Sequence, residues 1–268
     1  MTSPRTGRPY LDEVCDQPGT VLAMAHRGGA YHPDIEGLEN TLTAFRHATA
    51  LGYRYLETDV HATADGVLLA FHDDVLERVS DQQGAIAALT HADVRRARVG
   101  GREEVPTLTS LVDELPGARF NIDLKADGAV RPLADLISAR NLWDDVLVGS
   151  FSLARLREFR RLTQGRVATS ASPTEVGAFV TGLRRRGDFD ALQVPHRRGR
   201  LVVTTARLVR RAHAARKHVH VWTIDEDAEM RELLDRGVDG LLTDRTDTLK
   251  TVLTERGQWQ DQAPGRDS

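Results

Sequence analysis

Tyr55-Leu56-Glu57-Thr58-Asp59 is a short run that ends in two acids spaced two residues apart. Side chains two apart on a strand share a face, so Glu57 and Asp59 point into one space with Tyr55, while Leu56 faces the other way. Two like charges in one space are costly unless a cation lies between them, and hard carboxylate oxygens suit Mg²⁺ or Ca²⁺ better than a thiolate-loving metal. Asn121-Ile122-Asp123-Leu124-Lys125 repeats the alternation, bringing a third carboxylate and an ammonium group on one face. Each acid could also be a solvated outer charge, and Asp123 with Lys125 a plain buried ion pair. What separates these runs from ordinary strands is that both close on ionisable groups.

Six further apolar runs lie around these two: Val21–Ala25, Asp145–Gly149, Arg166–Thr169, Asp190–Val194, His218–Thr223 and Gly240–Thr243. Amphipathic stretches separate them. Leu208, Val209, Ala212 and Ala215 share one helical face, Leu42, Phe45 and Ala48 do so more loosely, and another helix follows Asp225-Glu226-Asp227 and stops at Arg236-Gly237. Eight strands alternating with helices over this length predict an α/β fold, a closed (β/α)₈ TIM barrel, in preference to an open doubly wound sheet. A single barrel is expected over residues 20–256, with polar, frayed ends at 1–19 and 257–268. Val67–Phe71 reads as an extra strand, Gly66 as a turn residue needing positive φ, and the polar stretch at about 73–104 as a small insertion near the barrel mouth.

Composition narrows the class. The 268 residues are 40% hydrophobic and 28% charged, with a formal net charge of -3, as in globular proteins and unlike disordered ones. A charge so near zero argues against a nucleic-acid surface. Cys15 is the only cysteine, so it reads as an incidental thiol and the compartment as reducing. No signal-peptide pattern and no membrane-length apolar run is present, and the expected location is cytoplasmic, with no stable membrane insertion. Arg184-Arg185-Arg186 and Arg197-Arg198-Gly199-Arg200 read as solvated charge.

Active sites of this fold collect at the C-terminal ends of the strands. The first run ends in His26-Arg27-Gly28-Gly29: a proton carrier, a planar fork for phosphate or carboxylate, and glycines that let backbone approach a ligand, or else a charged surface turn. His72-Asp73 closes the extra strand, where a histidine is more commonly a structural hydrogen-bonding residue, although the adjacent acid can orient it for acid/base work. In Glu39-Asn40-Thr41, either Asn40 or Thr41 reads as a helix cap. Trp222 ends the seventh run, either walling a pocket or filling core.

The ordered set His26-Arg27-Gly28, Glu39-Asn40-Thr41, Glu57-x-Asp59 with Thr63-x-Asp65-Gly66, His72-Asp73, Val105-Pro106-Thr107-Leu108, Asn121-Ile122-Asp123-Leu124-Lys125, Ser150-Phe151, Val221-Trp222-Thr223 and Gly237-Val238-Asp239-Gly240 resembles the glycerophosphodiester phosphodiesterase family. The matches run in family order from about residue 22 to 244. The resemblance implies a TIM barrel that hydrolyses glycerophosphodiesters, small-molecule substrates, to sn-glycerol 3-phosphate and an alcohol with a divalent metal cation, Mg²⁺ or Ca²⁺. By the same resemblance His26 and His72 match the acid/base pair, Glu57 and Asp59 metal ligands, Arg27 and Lys125 phosphate contacts, and Trp222 a wall of the substrate pocket. Asp123 stands where the family more usually has a glutamate as third metal ligand, and Arg78-Val79-Ser80-Asp81 where it often has Arg-Thr-Thr. The shorter Asp123 bears on cation preference. Two rivals are a phospholipase D-like activity on lysophospholipids, disfavoured by the single cysteine and the polar insertion, and a non-catalytic barrel binding phosphorylated metabolites, disfavoured because every acid/base and metal position carries a suitable residue.

Overall fold

The computed structural model describes residues 3–16, 19–183 and 187–259; Arg184-Arg185-Arg186 and the tail beyond residue 259 lie outside them. The eight runs form eight parallel strands: β1 (Leu22–His26), β2 (Tyr55–Ala62), β3 (Arg119–Leu124), β4 (Val146–Gly149), β5 (Ala168–Thr169), β6 (Ala191–Pro195), β7 (His218–Trp222) and β8 (Gly240–Thr243). They are ordered β5-β4-β3-β2-β1-β8-β7-β6. The seam between β5 and β6 is joined by the Ser170–Ala191 bridge and by Asp190 N–H donating to Thr169 O at 2.8 Å, which brings the sheet round to a barrel.

A helix follows each strand: α1 (Leu42–Ala50), α2 (Leu108–Glu114), α3 (Val130–Arg140), α4 (Leu153–Leu162), α5 (Pro173–Thr181), α6 (Ala206–Ala214), α7 (Asp227–Asp235) and α8 (Thr246–Glu255). Thr41, Thr107, Ser152, Ser172 and Thr205 each accept a hydrogen bond from a first-turn N–H of the helix they open, satisfying donors that the helix cannot pair internally. The inward stripe of α6 is Leu208, Val209 and Ala212, as its 3.6-residue period requires. Together with the outward faces of the strands these stripes make one continuous apolar layer.

The barrel interior changes character along its axis. Its floor is apolar, built from Leu22, Met24, Tyr55, Leu147, Ala168, Ala191 and Leu242, and closed from below by Tyr10, Leu11 and Val14. The beginning of the chain is therefore not frayed where the structure describes it. Pro9–Asp12 is a helical turn whose Tyr10 ring meets Tyr55 edge-on, centroids 5.2 Å apart, and Tyr55 Oη–H donates to Tyr10 O at 3.1 Å. The polar sequence around this turn hid an apolar pair that the barrel floor needs as its plug. Cys15 sits beside it, with Sγ 3.5 Å from Pro4 O.

β2 runs three residues past the expected end because Val60–Ala62 pairs antiparallel with Leu68–Ala70, with Gly66 at φ 82° in the turn. On this hairpin sits the segment up to Val105, which contains the short helix His91–Val94 and the two-residue strands Arg98–Val99 and Glu103–Glu104. Leu69, Phe71, Leu76, Ile86, Val94, Ala97, Val99 and Val105 form a separate apolar cluster there. Scattered single hydrophobes in a polar stretch thus make a small core of their own.

The Tyr10 hydroxyl is buried and has no hydrogen-bond partner among the described residues. Tyr10→Phe is therefore expected to leave the urea-unfolding midpoint unchanged or raised, since it deletes an unsatisfied polar group. Tyr10→Ala is expected to lower stability by about 3 kcal/mol through loss of a large buried ring.

Candidate active site

Strand register brings the chemistry together. His26 lies beside Glu57, and Glu57 beside Asn121; two residues further along, Asp59 lies beside Asp123. All three strands therefore present their inward polar residues at the C-terminal end, above the apolar floor.

Asp59 is the most enclosed charge, 2% exposed. Burial would raise its carboxyl pKa, but the Lys125 and Arg27 charges outweigh that and hold it below its ordinary value. Lys125 Nζ is 2.9 Å from both Asp59 Oδ1 and Asp123 Oδ2, bridging the two acids. Arg27 Nε is 3.1 Å from Asp59 Oδ2, without its N–H being aimed at that oxygen. Asn40 Nδ2 donates to the same oxygen at 3.1 Å and its amide oxygen accepts from Thr58 Oγ1 at 2.8 Å. Asn40 is therefore tied to the site and Thr41 alone caps α1.

Glu57 is buried and less well neutralised. Burial and the charge of Asp59 push its carboxyl up to about 7 against the opposing pull of His26 and Arg27; Arg27 N–H donates to it at 3.1 Å. His26 Nδ1 lies 2.8 Å from Asp244 Oδ1, and its Nε2 is 3.8 Å from Glu57. Burial acts to lower the His26 pKa, yet the charges of Glu57 and Asp244 lift it to about 9. In this arrangement the ring carries a proton at neutral pH.

His72 is joined to the same assembly through charges. Its Nδ1 is 2.5 Å from Asp73 Oδ1. Asp73 pairs with Arg78, Arg78 donates to Glu39 at 2.9 and 2.6 Å, and Glu39 accepts from Arg27 at 3.2 Å. A line of alternating charge thus runs Arg27, Glu39, Arg78, Asp73, His72, fastening the inserted segment to the turn after β1. At the rim Trp222 meets Phe151 edge-on with centroids 5.8 Å apart, and Lys125 Nζ lies 6.0 Å from the centre of the Phe151 ring. Phe151 is 61% exposed, so Trp222 belongs to an open aromatic wall at the mouth.

All eight residues singled out from the sequence thus stand at the barrel mouth: His26, Arg27, Glu57, Asp59, His72, Asp123, Lys125 and Trp222. Sequence reasoning missed Asp244; it singled out Asn40 only as a possible helix cap, and it quoted Glu39 and Arg78 without giving them a role in the site. Asp244 had a usable signal, an acid directly after the run Gly240–Thr243 at the end of a strand. Arg78 had none, because its partners Glu39 and Asp73 meet only in the folded chain.

The three carboxylates suit a divalent cation by their chemistry. They are hard oxygen donors, and the raised Glu57 pKa marks a carboxylate short of positive charge. Their oxygens do not converge into a three-ligand cluster; among the described residues such clusters are Asp12, Cys15 and His218, and His32, Asp34 and His47. Lys125 instead fills the space between Asp59 and Asp123. A cavity of about 620 Å³ lined by Arg8, Arg157, Arg160, Glu175 and Lys217, among others, opens elsewhere, at the N-terminal ends of β5, β6 and β7; it contains none of these groups.

Comparison with known proteins agrees with this geometry. Residues 26–248 match the glycerophosphoryl diester phosphodiesterase family. The Mycobacterium tuberculosis protein named "Probable glycerophosphodiester phosphodiesterase 2" is 42% identical over 250 residues, covering 90% of this chain and 94% of that one. A solved structure from Silicibacter pomeroyi shares the fold with a TM-score of 0.80 at 23% identity, over 95% of this chain and all of that one. An Oleispira antarctica phosphodiesterase solved in complex with the product sn-glycerol-3-phosphate has a TM-score of 0.71 at 23% identity, over 87% of this chain and 96% of that one. This chain belongs to the glycerophosphoryl diester phosphodiesterase family, and with it to the enzymes that hydrolyse phosphoric diesters.

Proposed function

We propose that this protein hydrolyses water-soluble glycerophosphodiesters to sn-glycerol 3-phosphate and an alcohol, with His26 and His72 as its acid/base pair. The observation that carries the reading is the charge arrangement at the mouth: two buried acids and a third beside them, faced by Arg27 and Lys125 and flanked by two histidines that each rest on an aspartate. The sn-glycerol-3-phosphate held by the Oleispira antarctica phosphodiesterase supports the same substrate class.

A phosphodiester anion repels its nucleophile and has a poor leaving group. Arg27 and Lys125 supply positive charge to the phosphoryl oxygens. Asp244 accepts from His26 Nδ1 and so fixes the ring with Nε2 turned towards Glu57 and the interior; Asp73 does the equivalent for His72. One histidine takes the proton of the attacking hydroxyl or water, and the other gives a proton to the departing alkoxide. Trp222 and Phe151 bound the pocket on its apolar side. Glu57, Asp59 and Asp123 would hold a divalent cation, Mg²⁺ or Ca²⁺, which when bound adds Lewis-acid stabilisation of the phosphoryl charge. Residues 20–256, inserted segment included, act as one catalytic unit. Among the described residues no helix is long and apolar enough to cross a membrane, and the proposed place of action is the cytoplasm.

His26→Ala and His72→Ala are each expected to lower kcat by at least about 10²-fold in an assay of glycerol 3-phosphate release, with the far-UV circular dichroism unchanged. Asp244→Asn is expected to lower kcat with little change in KM; unaltered turnover in any of the three removes that residue from the mechanism. Stripping with a chelator is expected to abolish release from glycerophosphocholine, and Mg²⁺ or Ca²⁺ to restore it. Full turnover in metal-free protein rules out the cation, and faster turnover of lysophosphatidylcholine than of glycerophosphocholine rules out the substrate class.

A further inference from the structure

We propose that His61 is a positioning residue for His72: its ring N–H holds the His72 peptide and through it sets where the His72 imidazole stands in the mouth. The proposal rests on the reading of His72 as one of the acid/base pair, and adds to it the group that places that histidine.

His61 continues the inward row of β2. Residues two apart on a strand share a face, so His61 stands above Glu57 and Asp59, while Val60 and Ala62 belong to the apolar layer under the helices. It is 6% exposed, and a ring nitrogen buried this deeply needs a hydrogen-bond partner. That partner is the backbone of His72: His61 Nε2 lies 3.1 Å from His72 O. A carbonyl oxygen only accepts, so the proton is on Nε2 and the direction of the bond is fixed.

The place of this bond in the chain gives it its consequence. The hairpin pairs Val60 with Ala70, and the last backbone bond between its arms runs from Phe71 N–H to Asp59 O at 2.9 Å. Beyond Phe71 the ladder stops and His72 lies in a bend. Among the described residues no backbone group pairs with the His72 peptide, so His61 supplies the bond that the ladder does not. The His72 ring is held separately, by Asp73, whose carboxylate pairs with the partly exposed Arg78. Exposed ion pairs hold a side chain weakly. The buried His61 bond is therefore the firmer anchor, and a catalytic group displaced by about 1 Å can lose about 10²-fold in rate.

His61 also stands near enough to Asp59 and Lys125 to feel both charges. An effect carried by His72 has to be separated from one carried by these two, and a double variant does so.

The test measures glycerol 3-phosphate release from glycerophosphocholine by the full chain with Mg²⁺ present, in His61→Ala, His61→Phe, His61→Gln, His72→Ala and the double variant of His61→Ala with His72→Ala. His61→Ala and His61→Phe, the second of which keeps the bulk of the ring, are each expected to lower kcat about tenfold with KM within about twofold of its starting value and the far-UV circular dichroism unchanged. His61→Gln, whose amide N–H can donate to the same carbonyl, is expected to restore most of the rate. In the His72→Ala background, His61→Ala is expected to cost nothing further, because the group it positions is gone. Normal kcat in both His61→Ala and His61→Phe, or a full tenfold loss on top of His72→Ala, overturns the inference and leaves the acid/base reading in place. Normal turnover in His72→Ala overturns that reading, and the inference with it.

Discussion

The ionised Asp59 carboxylate, almost wholly withdrawn from water, is the constraint around which the mouth of this barrel is organised. An unpaired buried carboxylate would cost several kcal/mol or simply protonate. Here Lys125 comes from the end of β3, Arg27 from the turn after β1 and Asn40 from the residue preceding the cap of α1, and each reaches an Asp59 oxygen. Three separate pieces of chain are thereby drawn to one point. Asn40 adopts φ 59° and Arg27 φ 49° to do so, left-handed conformations that non-glycine residues hold only when the surroundings demand it.

Parallel register does the remaining positioning. Because Asp59 stands beside Asp123 and Glu57 beside Asn121, a slip of one residue would turn every one of these groups toward the helices and bring Ile122 and Leu124 into the barrel. The apolar floor resists such a slip, since Tyr55 and Met24 are packed against the Tyr10 plug. Floor and mouth are thus linked along each strand: the same alternation that seats Tyr55 on the floor sends Glu57 and Asp59 upward. The inserted segment is attached differently. Its own small core holds it together, while the line of charges from Arg27 through Glu39 and Arg78 to Asp73 sets where His72 stands. Arg78 is about half exposed, and the ends of that line, Arg27 and His72, are the more enclosed. The arrangement gives His72 a position fixed by electrostatics where β2 and its hairpin partner have already ended.

How much of this could be read from the sequence follows from the range of each interaction. The eight strands, the alternation in Glu57-Thr58-Asp59 and Asn121-Ile122-Asp123, the turn at Gly66 and the helix stripe of Leu208, Val209 and Ala212 are all set within a few residues, by side-chain period and backbone preference. Those features determined the barrel and named the end of each strand at which charges collect. The order of motifs along the chain then identified the family. The tertiary structure alone decided which charges meet. Asp244 reaches His26 across 218 residues, Arg78 reaches Glu39 across 39, and Tyr10 plugs a floor made from strands spread over the whole chain. It also decided that Lys125 lies between Asp59 and Asp123, and that His32 and His47 face each other beside Asp34. Local pattern sets the face on which a side chain stands; its partner there depends on how distant segments are brought into register, which no local period encodes.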